Sequence, residues 1–383
     1  MLTDSEKTSR VAIFSVYDKD GVWGEYRSYL VTELKKVSQR LFIVVNGTLH
    51  DEIPQSISDS TTQIFFRENL GFDAGAYKEI LVNHIGLNDL RIYQELILCN
   101  DTFFGPFTSF VDIFEDMKKN DADYWGLFRI EERILEVICS CFYVFRLKTN
   151  LIADLYSYFK RSINANTTNI YDTYNEYEIG LYSWLRFKNY KSDTYIKHNP
   201  YNVNVNGDMA LLDVKLPIIK KKFFSSCTNK ENIVHALQLI YYSSRYSIDY
   251  ILNYTDLSIY EINCIDDVVN YELQQNKLNT SRQYFCQLTK VFLLSYIDEA
   301  SDIYIYGNGI WADFIYGIYF KNTNKLNGFI ISKEKCKHNM YDLPIYSYDK
   351  YFDEKNVIVA MSASNTRDLI LHIGKKVKWL YLW

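Results

Sequence analysis

Two stretches concentrate the residue types that could do chemistry. FFRENLGFDAGAYKEIL, residues 65–81, packs Arg67, Asn69, Gly71, Asp73 and Gly75 into nine positions behind an apolar run. ELILCNDTFFGPF, residues 95–107, ends its own apolar run on Asn100 and Asp101. Such groups at strand ends suit a phosphate-bearing ligand: a guanidinium pairs with phosphate, glycines let backbone approach, and a carboxylate holds a divalent cation. Each also has a plainer role. Asp73 at a helix start is favourable with the helix dipole, and Asn100-Asp101-Thr102 is good capping chemistry. A third set, Glu176 and Glu178 in YNEYEIGLYSWLRFKNY, stands two residues apart near a helix start and so points to different faces. One can face a cleft as a general base while the other serves the helix N-terminus.

These groups need elements to hold them. Residues 11–16 read as a strand, and 21–40 as a helix with Tyr26, Tyr29, Leu30, Leu34 and Val37 at helical spacing. Strands follow at 41–45, closed by Asn46 and Gly47, at 62–66 and at 96–99, with a helix over 74–83. Strands alternating with helices predict an α/β fold with a parallel, right-handed βαβ sheet covered on both faces. Beyond Pro106 the pattern predicts helices over 110–119, 151–161 and 174–187, and strands over 123–128, 141–145 and 191–196, the last leading to His198. This first domain spans 1–228. Residues 229–298 read as a helical connector, with Ile233, Leu237, Ile240 and Tyr241 on one face.

A second βαβ unit occupies 299–383. Its strand 303–306 runs into Gly307-Asn308-Gly309 and a helix over 310–320, the G-x-G-x-x-A spacing of a dinucleotide fold. Gly307 and Gly309 would let a phosphate approach the helix N-terminus. No acid closes the following strand, which ends Ile330-Ile331-Ser332, so the usual ribose partner of NAD is missing. A scaffold or docking role is the other reading of this unit.

Composition narrows the partners. The chain has 383 residues and a formal charge of −5, and lacks the clustered Lys and Arg of a nucleic-acid binder. Its one basic run, KLPIIKKK at 215–222, suits a pyrophosphate, a peripheral contact with an anionic membrane surface, or a solvated helix start. The 34 Tyr and 23 Phe offer rings for a base or sugar, or reflect a biased coding sequence. Seven cysteines form no CxxC pair and no zinc spacing, which fits a reducing compartment. A polar N-terminus and the lack of a long apolar run predict a cytoplasmic protein.

The motifs in their order resemble the rhamnan synthesis protein F glycosyltransferases, related to glycosyltransferase family 2 with its GT-A fold. The resemblance covers roughly residues 10–225: VYDKDG at 16–21, IVVNG at 43–47, RENLGFDAGAYK at 67–78, LILCNDTFFGP at 96–106, DYWGLF at 123–128, YEIGL at 177–181 and LPIIKK at 216–221. It implies transfer of a sugar, in that family L-rhamnose from a dTDP donor, to a growing cell-surface polysaccharide, with a glycan or lipid-linked glycan as acceptor. Donor contacts then fall on Tyr17, Asp18, Asn46, Arg67, Asn69, Gly71, Asp73 and Asn100. Asn100 and Asp101 occupy the place of the DxD motif that holds Mg²⁺ or Mn²⁺, with His198 near where some relatives set a histidine by the metal or phosphate. Laying Asn189-Tyr190-Lys191 on the family's Gly-Tyr-Lys puts Glu178 at the base position, with Glu176 beside it. The chain departs from the pattern in offering one carboxylate where the motif has two, and Asn46 where relatives carry an Asp for the base. The last 85 residues resemble Rossmann-like nucleotide-sugar-binding modules of other polysaccharide enzymes, including Gly328–Ser332 and Leu343–Tyr346. A non-catalytic module that binds a nucleotide sugar or glycan and docks other assembly enzymes is the competing expectation.

Overall fold

A computed structural model describes residues 8–132, 135–269, 271, 296–297, 300–307, 312, 315–316, 320–321, 324–331, 339–360, 369 and 379–381. The chain divides into two compact units, Met1–Glu272 and Leu273–Trp383.

The first unit is built on β1 (Arg10–Tyr17), β2 (Arg40–Asn46), β3 (Thr62–Arg67) and β4 (Glu95–Asn100), mutually parallel in the order β3-β2-β1-β4. All four therefore deliver their C-terminal residues to one edge. β1, β2 and β4 are almost wholly buried, which is why they read as unbroken apolar runs rather than alternating ones. Next come β5 (Phe103–Phe104), β6 (Tyr124–Gly126), the hairpin β7 (Arg129–Glu132) and β8 (Leu135–Ile138), then β9 (Phe142–Arg146) and β10 (Ser192–Thr194). The sheet has seven strands, ordered β10-β6-β9-β4-β1-β2-β3.

It is not parallel throughout. β9 inserts antiparallel between β4 and β6. The cause is local: from β6 the chain reaches its neighbour β9 through the β7/β8 hairpin alone, without the crossover helix that a parallel return usually takes. A short pair, β5 with β11 (Ile219–Lys220), sets Lys220 opposite Phe103 and Ile219 opposite Phe104. That pairing folds the basic run back onto the end of β4.

Helix α1 (Glu25–Val37) buries Leu30, Leu34 and Val37 against one sheet face, together with Phe110, Ile113 and Met117 of helix Phe110–Lys118. On the other face lie α2 (Phe72–Glu79) and helices Thr149–Ser162 and Gly180–Phe187. Helix Lys230–Ser243, read from sequence as the start of a connector, packs within the first unit instead. It buries Ile233, Val234, Ala236, Leu237, Leu239 and Ile240, an apolar surface too wide for a helix spanning solvent. These side chains join Tyr26, Phe104, Phe223 and Phe224 in a third core cluster that extends to Val268. Among the described residues no helix is long and apolar enough to cross a membrane.

The second unit carries β12 (Ile303–Tyr306), β13 (Leu326–Ile331), β14 (Asn339–Met340), β15 (Leu343–Ser347), β16 (Asn356–Val359) and β17 (Trp379–Tyr381). β15-β13-β12-β16-β17 are parallel, and β14 is an antiparallel edge. Counted along the chain without β14, the order is 3-2-1-4-5, that of a doubly wound nucleotide-binding sheet. Gly307 closes β12 at φ 126°, its amide donating to the Ile330 carbonyl at 2.9 Å. Gly309 lies outside the described residues.

The turn from β3 into α2 shows why its glycine is there. Gly71 has φ 62°, and a Cβ would stand 2.7 Å from Ala165 Cα and 2.8 Å from the Asn164 carbonyl oxygen. Its amide donates to the Thr167 carbonyl at 2.7 Å. The close approach that Gly71 permits is thus made by the chain's own 164–167 loop. Gly71→Ala is expected to lower the unfolding free energy by about 1–3 kcal/mol in the absence of any nucleotide, read from the urea midpoint.

Candidate active site

The strand ends are joined by a row of side-chain hydrogen bonds. Arg67 donates from Nη1 to Asn46 Oδ1 at 2.7 Å and from Nε to Glu79 at 2.8 Å. Asn46 Nδ2 donates to Ser15 Oγ at 3.0 Å, and Ser15 Oγ to Asp73 Oδ1 at 2.9 Å. From the other side Lys220 Nζ donates to Thr102 Oγ1 at 2.6 Å, Thr102 Oγ1 to Asn100 Oδ1 at 2.7 Å, and Asn100 Nδ2 to Asp73 Oδ2 at 2.8 Å. Five of the residues expected to touch a donor, Asn46, Arg67, Gly71, Asp73 and Asn100, are therefore bonded to the protein itself. Asn46 is the clearest case: it is 1% exposed, and its second N–H goes to the Val16 carbonyl. These residues form a floor that other groups rise from. Burial pushes the Asp73 carboxyl up to about 6 despite its bond from Ser15.

Beside this row lies a buried ion cluster that sequence reasoning missed. Arg27 of α1 is fully buried; its guanidinium stands 2.6 Å from Asp101 and 3.2 Å from Asp18. Its remaining donors reach the carbonyls of Val22 at 2.5 Å, Trp23 at 2.6 Å and Tyr17 at 3.1 Å. Lys221 Nζ is 3.5 Å from Asp101, donates to the Tyr26 hydroxyl at 2.8 Å, and lies over the rings of Tyr26 and Tyr254. Tyr254, from the segment read as a connector, donates its hydroxyl to Asp18. Burial opposes ionisation of Asp101, but Lys221 and Arg27 overcome it and hold its carboxyl below the usual range.

That cluster decides the fit of a metal. Mg²⁺ or Mn²⁺ needs several oxygen ligands. The Asp101 oxygen facing inward is occupied by Arg27, with a second cation 3.5 Å away. His198 is exposed and no bond brings it to Asp101. Among the described residues no group of three or more His, Cys, Asp or Glu is placed to hold a metal. The residues at the expected metal position do not fit a divalent cation, because a guanidinium and an ammonium already neutralise the single carboxylate.

The two glutamates diverge as their spacing predicts. Both lie on a π-helical turn, Tyr174–Ile179, anchored by buried Tyr177 with its ring 5.5 Å from that of Tyr77. Glu176 faces away and accepts the Asn164 amide at 2.7 Å, steadying the loop that meets Gly71. Glu178 faces the row. Burial pushes its carboxyl up to about 7, and the Cys139 thiol adds to this, while Lys220 and a hydrogen bond with Ser140 pull the other way. Cys139 and Cys141 sit behind it with sulfurs 3.4 Å apart. Burial likewise opposes the charge on Lys220, which Cys139, Cys141, Glu178 and Asp73 sustain.

Asn69 is half-buried with no side-chain hydrogen bond among the described residues, and Tyr17 is 45% exposed. Both remain available to a ligand. Asp18 is spent on Arg27, Tyr254 and the amides of Asp20 and Val22. Asn189, which stands at the family's glycine position, has a left-handed backbone with φ 63°. Sequence had flagged Lys220 and Lys221 within a basic run, but only the β5/β11 pair turns them inward.

A mostly parallel sheet with a polar floor on its strand ends, cations beside it and a glutamate nearby is compatible with a glycosyltransferase, and the family match carries that class. Residues 41–346 match the family described as Rhamnan synthesis protein F, and the chain belongs to that family. Its α/β, GT-A-like fold is thereby the one expected of the sequence. Among solved structures the chain is similar to the galactosyltransferase LgtC in complex with donor and acceptor sugar analogues, at 11% identity and a TM-score of 0.23, covering 45% of this chain and 70% of that one. It is also similar to the apo form of the glycosyltransferase GlyE of Streptococcus pneumoniae TIGR4, at 8% identity and a TM-score of 0.29, covering 96% and 90%. Both scores are low, and the assignment rests on the family. No curated protein matches the chain in sequence.

Two outcomes follow from the electrostatics. Arg27→Met leaves Asp18 and Asp101 buried without their main partner and is expected to cost about 3–5 kcal/mol in urea unfolding. Glu178, raised to about 7 from 4.5, keeps its proton in the folded chain where the unfolded chain has lost it, so its contribution to stability falls as pH rises across that window. Glu178→Gln cannot ionise and should gain on the parent chain over the same window, by on the order of 2 kcal/mol above pH 7, measured as the difference in unfolding free energy.

Proposed function

We propose that the chain transfers a sugar from a nucleotide-sugar donor to a glycan or lipid-linked glycan acceptor of a cell-surface polysaccharide, with inversion and with Glu178 as general base. L-Rhamnose from dTDP-rhamnose is the donor that the family's name favours. The observation that carries the reading is Glu178: a half-buried carboxyl with a pKa of about 7, beside the strand-end row and opposite Lys220. A base works best when its pKa lies near the working pH.

In the proposed step the ionised Glu178 takes the proton of the acceptor hydroxyl as that oxygen attacks the anomeric carbon. The bond from that carbon to the donor phosphate breaks on the opposite side, and the nucleoside diphosphate leaves with the electron pair. Asn69 and Tyr17, the two donor-side residues whose side chains stay available, are the candidates for holding sugar or nucleoside. The Asp73 row fixes the strand ends so that these parts keep their spacing.

Glu178→Gln is expected to abolish transfer while changing donor affinity by no more than a few-fold; near-normal turnover would remove Glu178 from the mechanism. For the parent chain kcat/KM should rise with pH up to about 7 and then level, because the ionised form is the base. A profile flat from pH 5.5 to 8.5 would contradict that role. Slow release of nucleoside diphosphate without acceptor separates a transferase from a protein that only binds nucleotide sugars.

A further inference from the structure

We infer that Lys220 and Lys221 together bind the donor diphosphate and do the work of a divalent cation, so that donor binding requires no metal. The inference rests on the transferase reading above and names how its leaving group is held.

The two lysines straddle the Asp101-Thr102 step. Lys220 is bonded to Thr102 on one side, and Lys221 stands against Asp101 on the other. Their placement is built into the fold, since β11 pairs with β5 immediately beyond Thr102 and the Lys221 amide donates to the Thr102 carbonyl at 3.0 Å. Two adjacent ammonium groups thus stand at the strand end where a metal motif would bring a dication, that of Lys221 already set against Asp101 and that of Lys220 with no carboxylate at ion-pair distance among the described residues.

The groups around them point the same way. A metal at Asp101 would have to share its oxygen with the fully buried Arg27 and sit beside Lys221, and like charges at such spacing repel strongly where water is scarce. A diphosphate meets the opposite field. Lys220 offers it the most: an ammonium has three N–H donors, and in the described structure this one uses a single donor, on Thr102. Lys220 also faces both Glu178 and Asp73, which places it between the base and the floor of the row. Charge developing on the leaving diphosphate would therefore arise next to an ammonium with two donors to spare, in a half-buried site where such contacts are strong. Lys221 has the complementary task. Held by Tyr26, Tyr254 and Asp101, its ammonium is fixed in place, burial and Arg27 working against its charge and Asp101 sustaining it.

The test is calorimetric titration of the full chain with dTDP, UDP and inorganic pyrophosphate, in EDTA and again in excess Mg²⁺ or Mn²⁺. Binding of one of the nucleotides in EDTA with an affinity within about twofold of the metal-containing value is expected, and Lys220→Met should weaken it about tenfold or more. Lys220→Arg keeps the charge and should retain most of the affinity. Lys221→Met is included with a thermal melt. If it unfolds by exposing Asp101 to a lost partner, the Lys220 pair of variants still decides the matter. Binding that appears only with metal overturns the inference and leaves the transferase reading standing. Parent-like affinity in Lys220→Met also overturns it. If no nucleotide binds under either condition, the transferase reading falls with it.

Discussion

The guanidinium of Arg27 is the contact on which the first unit's chemistry depends. It is fully buried, and a buried charge is tolerable only when every donor is met. Here the partners come from three places: the loop after β1 through Tyr17, Asp18, Val22 and Trp23, the end of β4 through Asp101, and the following helices through Tyr254. One side chain therefore bridges the residues that follow β1 and β4, and ties residues beyond 249 to the sheet. It also decides the character of Asp101. In its company the carboxylate is a structural anion, and Asp101 in turn sustains the charge of the half-buried Lys221, which burial and Arg27 oppose.

Much of the frame was legible before any coordinates. The apolar runs of β1 to β4, the turn chemistry at Asn46 and Gly47, and the carboxylate opening α2 read correctly because buried parallel strands and helix starts leave strong local signals. The insertion of β9 was not legible. Its residues form a good strand, but direction is set by how the chain returns from β6, and the Arg129–Ile138 hairpin that makes this return left no clear period in the sequence. The helices after Asn229 read as a connector because amphipathicity tells that a face is buried and not what buries it.

The site divides in the same way. That Glu176 and Glu178 face different ways was legible, because two positions of spacing on a helix separate faces, and the structure gives Glu176 to the 164–167 loop while Glu178 faces the row. The metal expectation came from position alone. Arg27, which alters it, looks in sequence like any charged residue of an amphipathic helix, and Lys220 like part of a solvated run. Both gain their meaning from partners at least 70 residues away, Asp101 and Thr102, and no local pattern encodes that distance. Gly71 carries the reverse lesson: its type was informative, but the backbone it admits belongs to the chain itself.

The row across the strand ends has a direction. From Arg67 through Asn46 and Ser15, and from Lys220 through Thr102 and Asn100, every hydrogen bond points inward to Asp73. Two cations stand at the extremities and one anion at the middle, so the dipoles of two amides and two hydroxyls are aligned with no orientation left to choose. Protonation of Asp73 turns the middle of the row from a sink of two arrows into a source of one. Because Arg67 and Lys220 can only donate, neither half of the row can reverse to receive that proton without losing a bond at its end. The lip of the sheet thus behaves as a single polarised object rather than as seven separate side chains, and its sense is written by the charge of one aspartate.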